Sequence, residues 1–142
     1  MDQFILFLHV LGSLTVGFYL LLPFVASRMD ALSPAAQAGY AKGLHNLNRI
    51  GQYLLIVQFL TGGYLISKYD LSVAWMIVVI VLFILLLGAA GMAGAPLKRI
   101  VNAGAEGGEA SKRDASKAVS FSSMAAVLVI LLLLLMYYPT LI

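Results

Sequence analysis

Residues 73–94 read VAWMIVVIVLFILLLGAAGMAG and contain no Asp, Glu, Lys or Arg. A helix needs about 20 apolar residues to cross the hydrocarbon core of a bilayer, so this segment predicts a membrane-spanning helix. Three further apolar segments lie at about 4–26, 50–67 and 119–138, and none of them contains a charged residue. The sequence therefore predicts an all-α membrane protein with four spanning helices.

The composition of the 142-residue chain agrees with this prediction. Hydrophobic residues make up 62% of the chain and charged residues only 11%, whereas about a quarter of a soluble domain is charged. A soluble domain of this size could not bury so much apolar surface, because little of its volume is interior. We therefore exclude a soluble enzyme, a nucleic-acid-binding protein and a disordered chain, and we expect the lipid bilayer as partner. Because the chain has no cysteine, disulfides and thiolate metal sites are excluded as well.

Lysine and arginine lie almost entirely on one side of the predicted spans. The N-terminus, the 68–72 turn and the C-terminus together carry only Lys68. Since cytoplasmic loops are enriched in basic residues, both termini are expected outside a bacterial plasma membrane. Short connections favour an up-down four-helix bundle, a single domain over 1–142. The basic residues of the cytoplasmic side are Arg28, Lys42, Arg49, Lys98, Arg99, Lys112, Arg113 and Lys117.

Two cytoplasmic segments connect the spans. Ser33 followed by Pro34 is typical of a helix start, and it predicts an inner-surface helical segment over about 34–48. The second segment begins near Pro96 and contains the glycine-rich residues 104–108. We expect a flexible loop there, over about 96–116.

Small residues predict where the spans pack, because helices in lipid are held together by close approach. We expect these residues in the bundle seam: Gly12, Ser13, Val16 and Gly17 of the first span, Thr61, Gly62 and Gly63 of the second, and Gly88, Gly91 and Ala95 of the third. Aromatic residues near the outer surface are expected to anchor the protein at the lipid–water interface. They are Tyr64, Tyr69, Trp75, Tyr137 and Tyr138.

His9 is the one ionisable side chain inside a predicted span, apart from tyrosines. It shares a helical stripe with Gly12 and Ser13, so it is expected to face other helices. Gln58, near the middle of the second span, also requires a polar partner. Two interpretations stay open: His9 and Gln58 hydrogen-bond across helices and only determine packing, or His9 ligates a metal or haem iron.

A second axial ligand would have to lie at the level of His9, in the outer half of the bilayer. Met76 and Met136 meet this condition, although methionine is also a common filler of cores. His45 does not meet it, because about 27 Å of helix separates His9 from the inner surface. We expect His45 to be interfacial and solvated.

The segment Phe7–Ser13, FLHVLGS, resembles the first helix of a bacterial four-helix integral membrane protein family with an LHVLG motif. The basic first inner loop, Thr61-Gly62-Gly63-Tyr64 at the end of the second helix and Trp75 near the third resemble the same layout. This family is distantly similar to CopD-type and HemJ-type membrane proteins. In the HemJ type a first-helix histidine is linked to haem b and to protoporphyrinogen oxidation, so the resemblance implies a haem-related role for His9.

Three functions are compatible with these features. The first is binding of haem b or a related hydrophobic cofactor, for redox chemistry or cofactor handling, with a site formed by His9, Ser13, Gln58, Met76 and Met136. The second is a non-enzymatic module that homo-oligomerises or joins a larger membrane complex through its glycine-rich third span. The third is a small-solute or lipid pathway lined by His9, Ser13, Gln58 and Thr61. No catalytic residue is predicted.

Overall fold

The computed structural model describes residues 2–105 and 112–142, which form helices and contain no strand. The predicted all-helical class is therefore confirmed for these residues. The elements are α1 (Asp2–Val16), α2 (Phe18–Ala26), a 3-10 turn (Met29–Ala31), α3 (Pro34–Ile66), α4 (Val73–Ala105) and α5 (Lys112–Tyr137).

Three helical stretches of the described chain are long and apolar enough to cross a membrane. They are Asp2–Ala26, which comprises α1 and α2, then Val73–Gly104 and Arg113–Tyr137. The helix α3 is not among them, because it combines charged residues in its first half with amides such as Gln52 and Gln58 in its second. The structure thus supports a helical protein compatible with membrane insertion.

The helix α3 is longer than the sequence predicts. The expected inner-surface segment at 34–48 and the expected span at 50–67 form one continuous helix of 33 residues, which is about 50 Å long. Its start is as predicted: Ser33 Oγ accepts a hydrogen bond from the Ala36 N–H at 3.4 Å, and Pro34 opens the first turn.

The prediction of a flexible loop over about 96–116 is wrong at both ends of this range. The helix α4 continues through Pro96 to Ala105, and α5 already begins at Lys112; residues 106–111 lie outside the described chain. A proline within a helix removes one backbone hydrogen bond. Burial of Leu97 and Ile100 in the core offsets that loss.

The first span changes its packing partner at Gly17, which interrupts the helix between α1 and α2. The residues before Gly17 pack mainly on α3, and those after it pack mainly on α5. The helix α4 packs on both α3 and α5. A Cβ at Gly17 would lie 2.9 Å from the Leu14 carbonyl oxygen, so a larger residue there would require a small shift of the backbone.

The bundle has two distinct ends. The first, which we call the terminal end, holds Asp2, the 67–72 turn and the residues after Tyr137. There the Tyr64 hydroxyl donates a hydrogen bond to the Asp2 carboxylate at 2.6 Å. We call the other the basic end. There the Arg99 guanidinium pairs with the Asp114 carboxylate at 2.8 Å.

A buried polar link joins α2, α3 and α4. The Tyr19 hydroxyl donates to Asn48 Oδ1 at 3.0 Å, and Asn48 Nδ2 donates to the Ala90 carbonyl at 2.9 Å. The Asn48 side chain is only 1% exposed. Gly51 makes room for the Tyr19 ring, since a Cβ there would lie 2.7 Å from the hydroxyl oxygen. These hydrogen bonds set the rotation of three helices about their axes.

Two glycines and an alanine of α4 are not in the seam where they were expected. Gly88, Gly91 and Ala95 are exposed on the outside of the bundle, and a Cβ at either glycine would meet nothing within 4 Å. The seam is formed instead by Ala90 and Gly94, on another face of the helix. With 3.6 residues per turn, neighbouring small residues point in different directions.

Trp75 is not the interfacial anchor that the sequence predicts. Its side chain is 3% exposed, and its indole N–H donates to the Leu135 carbonyl at 2.9 Å. Burial of an indole requires such an acceptor. Trp75 therefore fastens the start of α4 to the end of α5.

We predict that Asn48→Ala and Tyr19→Phe each lower the free energy of unfolding in detergent by about 1 kcal/mol, because each breaks the link between helices. The double variant should lose less than the sum, since both changes remove the same hydrogen bond. Thermal unfolding followed by circular dichroism measures the effect. Ser123→Ala, at an exposed serine, is the control; an Asn48→Ala protein as stable as the unmodified chain would contradict the prediction.

Candidate functional site

A cavity of about 490 Å³ lies within the terminal half of the bundle. Side chains of α1, α3, α4 and α5 line it, and Val16, Leu55 and Leu86 form its deepest part. Its size falls within the range of small-molecule and cofactor sites. The lining on α4 and α5 is apolar or aromatic and includes Phe83 and Val129.

The cavity follows from the change of partner at Gly17. Because α1 packs on α3 while α2 packs on α5, α1 and α5 are not packed together in the terminal half. Below the cavity the link from Tyr19 through Asn48 to Ala90 holds the helices close. The helices are therefore packed together at the basic end, whereas α1 and α5 lie apart at the terminal end.

One wall of the cavity carries a chain of hydrogen bonds between α1 and α3. His9 Nδ1 lies 2.9 Å from Thr61 Oγ1. Gln58 Nε2 donates to Ser13 Oγ at 2.8 Å, and Ser13 Oγ donates to the His9 carbonyl at 2.8 Å. The predicted stripe of His9, Gly12 and Ser13 does face another helix, and Gln58 has the polar partner that its burial requires.

The hydrogen bonds of Thr61 favour one of the two neutral tautomers of His9. The Thr61 hydroxyl lies 2.9 Å from the Val57 carbonyl and can donate its proton there. Its oxygen is then the acceptor toward His9, which favours the tautomer with the proton on Nδ1. A neutral imidazole with a protonated Nδ1 keeps a lone pair on Nε2. Among the described residues none hydrogen-bonds Nε2.

Gly12 and Gly62 allow α1 and α3 to approach this closely. A Cβ at Gly12 would overlap the Gln58 side-chain amide, and a Cβ at Gly62 would lie 3.2 Å from His9 Cε1. Gln58 Oε1 is buried and has no hydrogen-bond partner within the described chain. The seam therefore has no room for a larger residue at position 12.

Four of the five residues predicted for the site line this one cavity. They are His9, Ser13, Gln58 and Met136. Met76 is not part of the lining; it is half-buried and packs against the hydrophobic core. Trp75 and Val79 line the cavity from α4 instead. Their spacing of four residues is the signal that could have identified them.

His45 is far from the cavity, as the sequence predicts, and it is partly exposed, although its Nδ1 is not. It precedes Thr61 by 16 residues of the same helix, which is about 24 Å. Its Nδ1 is buried and has no hydrogen-bond partner among the described residues. A Cβ at Gly94 would lie 3.9 Å from the ring, so the imidazole packs in the seam between α3 and α4.

The chemistry available to the cavity is limited to a few groups. The described residues contain no cluster of three or more His, Cys, Asp or Glu side chains that could hold a metal ion. A haem iron is held mainly by its porphyrin and needs only one or two protein ligands. His9 and Met136 are the residue types that serve this purpose, and both line the cavity.

Comparison of the chain with protein-family models, with curated proteins and with solved structures found no match.

We predict that Gly12→Ala destabilises the protein by about 1–3 kcal/mol, because the added methyl group overlaps the Gln58 amide. Gly63→Ala is the matched control: the same change on α3, where a Cβ meets nothing within 4 Å. It should be neutral or stabilising, since alanine favours helix more than glycine does. Thermal unfolding in detergent compares the two variants, and equal stability would refute the close approach at Gly12.

Proposed function

We propose that the protein spans the membrane four times and binds haem b or a related hydrophobic cofactor through His9. The observation that carries this proposal is an imidazole with an unpaired Nε2 in the wall of an apolar cavity. A metal-ligating histidine usually donates its other ring N–H to a hydrogen-bond acceptor, and the Thr61 hydroxyl would be that acceptor here. Residues 7–13 resemble a family that is distantly similar to the haem-linked HemJ-type membrane proteins, and this resemblance favours the same assignment.

The fourth span of this proposal is the second half of α3. Its amides point inward, and each donates a hydrogen bond: Gln58 to Ser13 Oγ, and Gln52 to the Ala90 carbonyl at 3.1 Å. Polar side chains that face the interior of a bundle and hydrogen-bond there are tolerated within a bilayer. Its outward side chains are apolar or aromatic and exposed, as lipid contact requires: Ile50, Tyr53, Ile56, Val57 and Leu60.

The proposed orientation places the basic end in the cytoplasm and both termini outside. Arg28, Lys42, Arg49 and Lys98 are exposed toward the basic end, whereas Lys68 belongs to the terminal end. This asymmetry follows the positive-inside rule. The cavity and His9 then lie in the outer half of the membrane.

The residues of the cavity have separate parts in the proposed binding. His9 would hold the group through Nε2, with Thr61 as the acceptor for the proton on Nδ1. Met136 is the proposed second ligand, because it lines the cavity and Met76 does not. The apolar walls exclude water. Bound haem would supply one-electron redox chemistry, in a redox or cofactor-handling role.

We predict that the protein purified in mild detergent shows a Soret band after addition of haem, and that His9→Ala abolishes it. His45→Ala is the matched control: it removes the other histidine, about 24 Å away, and should leave the spectrum unchanged. Met136→Leu should change the spectrum of the bound haem, and Met76→Leu should not.

The result that would refute the proposal is the absence of a Soret band, or a band that is the same in the His9→Ala protein. Circular dichroism of each variant establishes that it is folded, so that loss of the band is attributable to loss of the ligand.

A second candidate function is homo-oligomerisation, or assembly into a larger membrane complex, through α4. It is favoured by the exposed position of Gly88, Gly91 and Ala95, which form a smooth strip with open space beside it. Helices in lipid associate through such small residues.

We predict for this candidate that cross-linking in native membranes yields a dimer or higher oligomer, which Gly88→Leu and Gly91→Leu reduce. The added side chains would prevent close approach of two copies of α4. Gly63→Leu, another open glycine but on α3, is the control. A cross-linking pattern that none of these changes affects would contradict the assignment of α4 as the contact.

A further inference from the structure

The cavity has a wall that no pair of packed helices closes. The helix α1 packs on α3, and α5 packs on α4 and α2; along their described lengths α1 and α5 have no extended contact. Both nevertheless line the cavity, α1 through Leu6 and His9 and α5 through Leu133 and Met136. The space between these two helices is therefore an opening in the side of the bundle.

The residues at this opening differ in exposure from those deeper in the cavity. Leu6 is 43% exposed and Leu133 is 45% exposed, whereas Leu86 and Val129 are fully or almost fully buried. The side chains at the edge are apolar. An opening in the side of a membrane bundle, bordered by apolar side chains, faces the acyl chains of lipid and not water.

We propose that this cavity is filled from the lipid phase, by a lipophilic molecule dissolved in the bilayer that enters sideways between α1 and α5. The inference rests on the proposed function only in using the same cavity as the binding site; it does not require that the occupant is haem. The apolar body of the occupant lies against Trp75 and Phe83, and its polar group meets the wall that carries His9 and Ser13. The residues that line the cavity include no Asp, Glu, Lys or Arg, which disfavours a small, fully charged ligand dissolved in water.

The chain contains a natural reporter for this route. Trp75 is its single tryptophan, and it lines the cavity while being 3% exposed. The experiment reconstitutes the full chain in phosphatidylcholine vesicles whose acyl chains are brominated at their middle, and it measures tryptophan fluorescence. Bromine quenches only at close range, so tails that enter the cavity should quench Trp75. Aqueous iodide should not.

Variants that fill the cavity distinguish quenching by lipid tails inside it from quenching by lipid tails outside the bundle. Gly63→Phe adds a ring at a lining position where a Cβ meets nothing within 4 Å, and Gly88→Phe makes the same change at an equally open glycine outside the cavity. We expect Gly63→Phe to at least halve the quenching by brominated tails and Gly88→Phe to leave it unchanged. Val129→Phe fills the cavity from α5 and should act like Gly63→Phe.

Two results would overturn the inference. The first is quenching by iodide without quenching by brominated tails, which would show entry from water. The second is tail quenching that neither Gly63→Phe nor Val129→Phe reduces. Failure of the haem proposal can be distinguished from failure of this inference. A protein with no Soret band, but with tail quenching that Gly63→Phe reduces, would refute haem binding and still support entry from the lipid.

Discussion

The hydrogen bonds of Asn48 are the constraint on which the rest of the structure depends. A buried amide is shielded from water, so its donors and acceptors must find partners in neighbouring helices. Asn48 takes the Tyr19 hydroxyl from α2 and the Ala90 carbonyl from α4, and Gly51 leaves the space for the ring. Three helices are thereby held together at one level of the bundle, and the helices above that level are free to separate.

The separation above Asn48 produces the cavity. Gly17 interrupts the first span, so that the part nearer the N-terminus turns toward α3 and leaves α5. The hydrogen bonds from His9 to Thr61 and from Gln58 to Ser13 then hold α1 in this position. The polar side chains that fix the packing of α1 on α3 are the same ones that line the cavity and could contact a ligand. The two interpretations of His9 are therefore compatible.

Much of this arrangement could be predicted from the sequence. Long uncharged runs identify apolar helices, and the helical stripe through His9 and Gly12 identifies the face of α1 that meets α3. What could not be predicted depends on neighbours distant in sequence. Single-helix periodicity does not tell which of the adjacent small residues of α4 face α3, nor that Trp75 finds an acceptor at Leu135. The prediction of a loop beginning at Pro96 was wrong for a related reason: the burial of Leu97 and Ile100 outweighs the local helix-breaking preference of proline.

The pairing of His9 with Thr61 has a consequence for charge movement through the bundle. A proton relay requires each member to receive a proton on one side and to release one on the other. Thr61 gives its proton to the Val57 carbonyl, and a backbone carbonyl passes nothing onward. The chain of exchangeable hydrogens ends there, one turn from the imidazole. In this arrangement the hydrogen bonds of His9 and Thr61 offer no continuous route for a proton along α3.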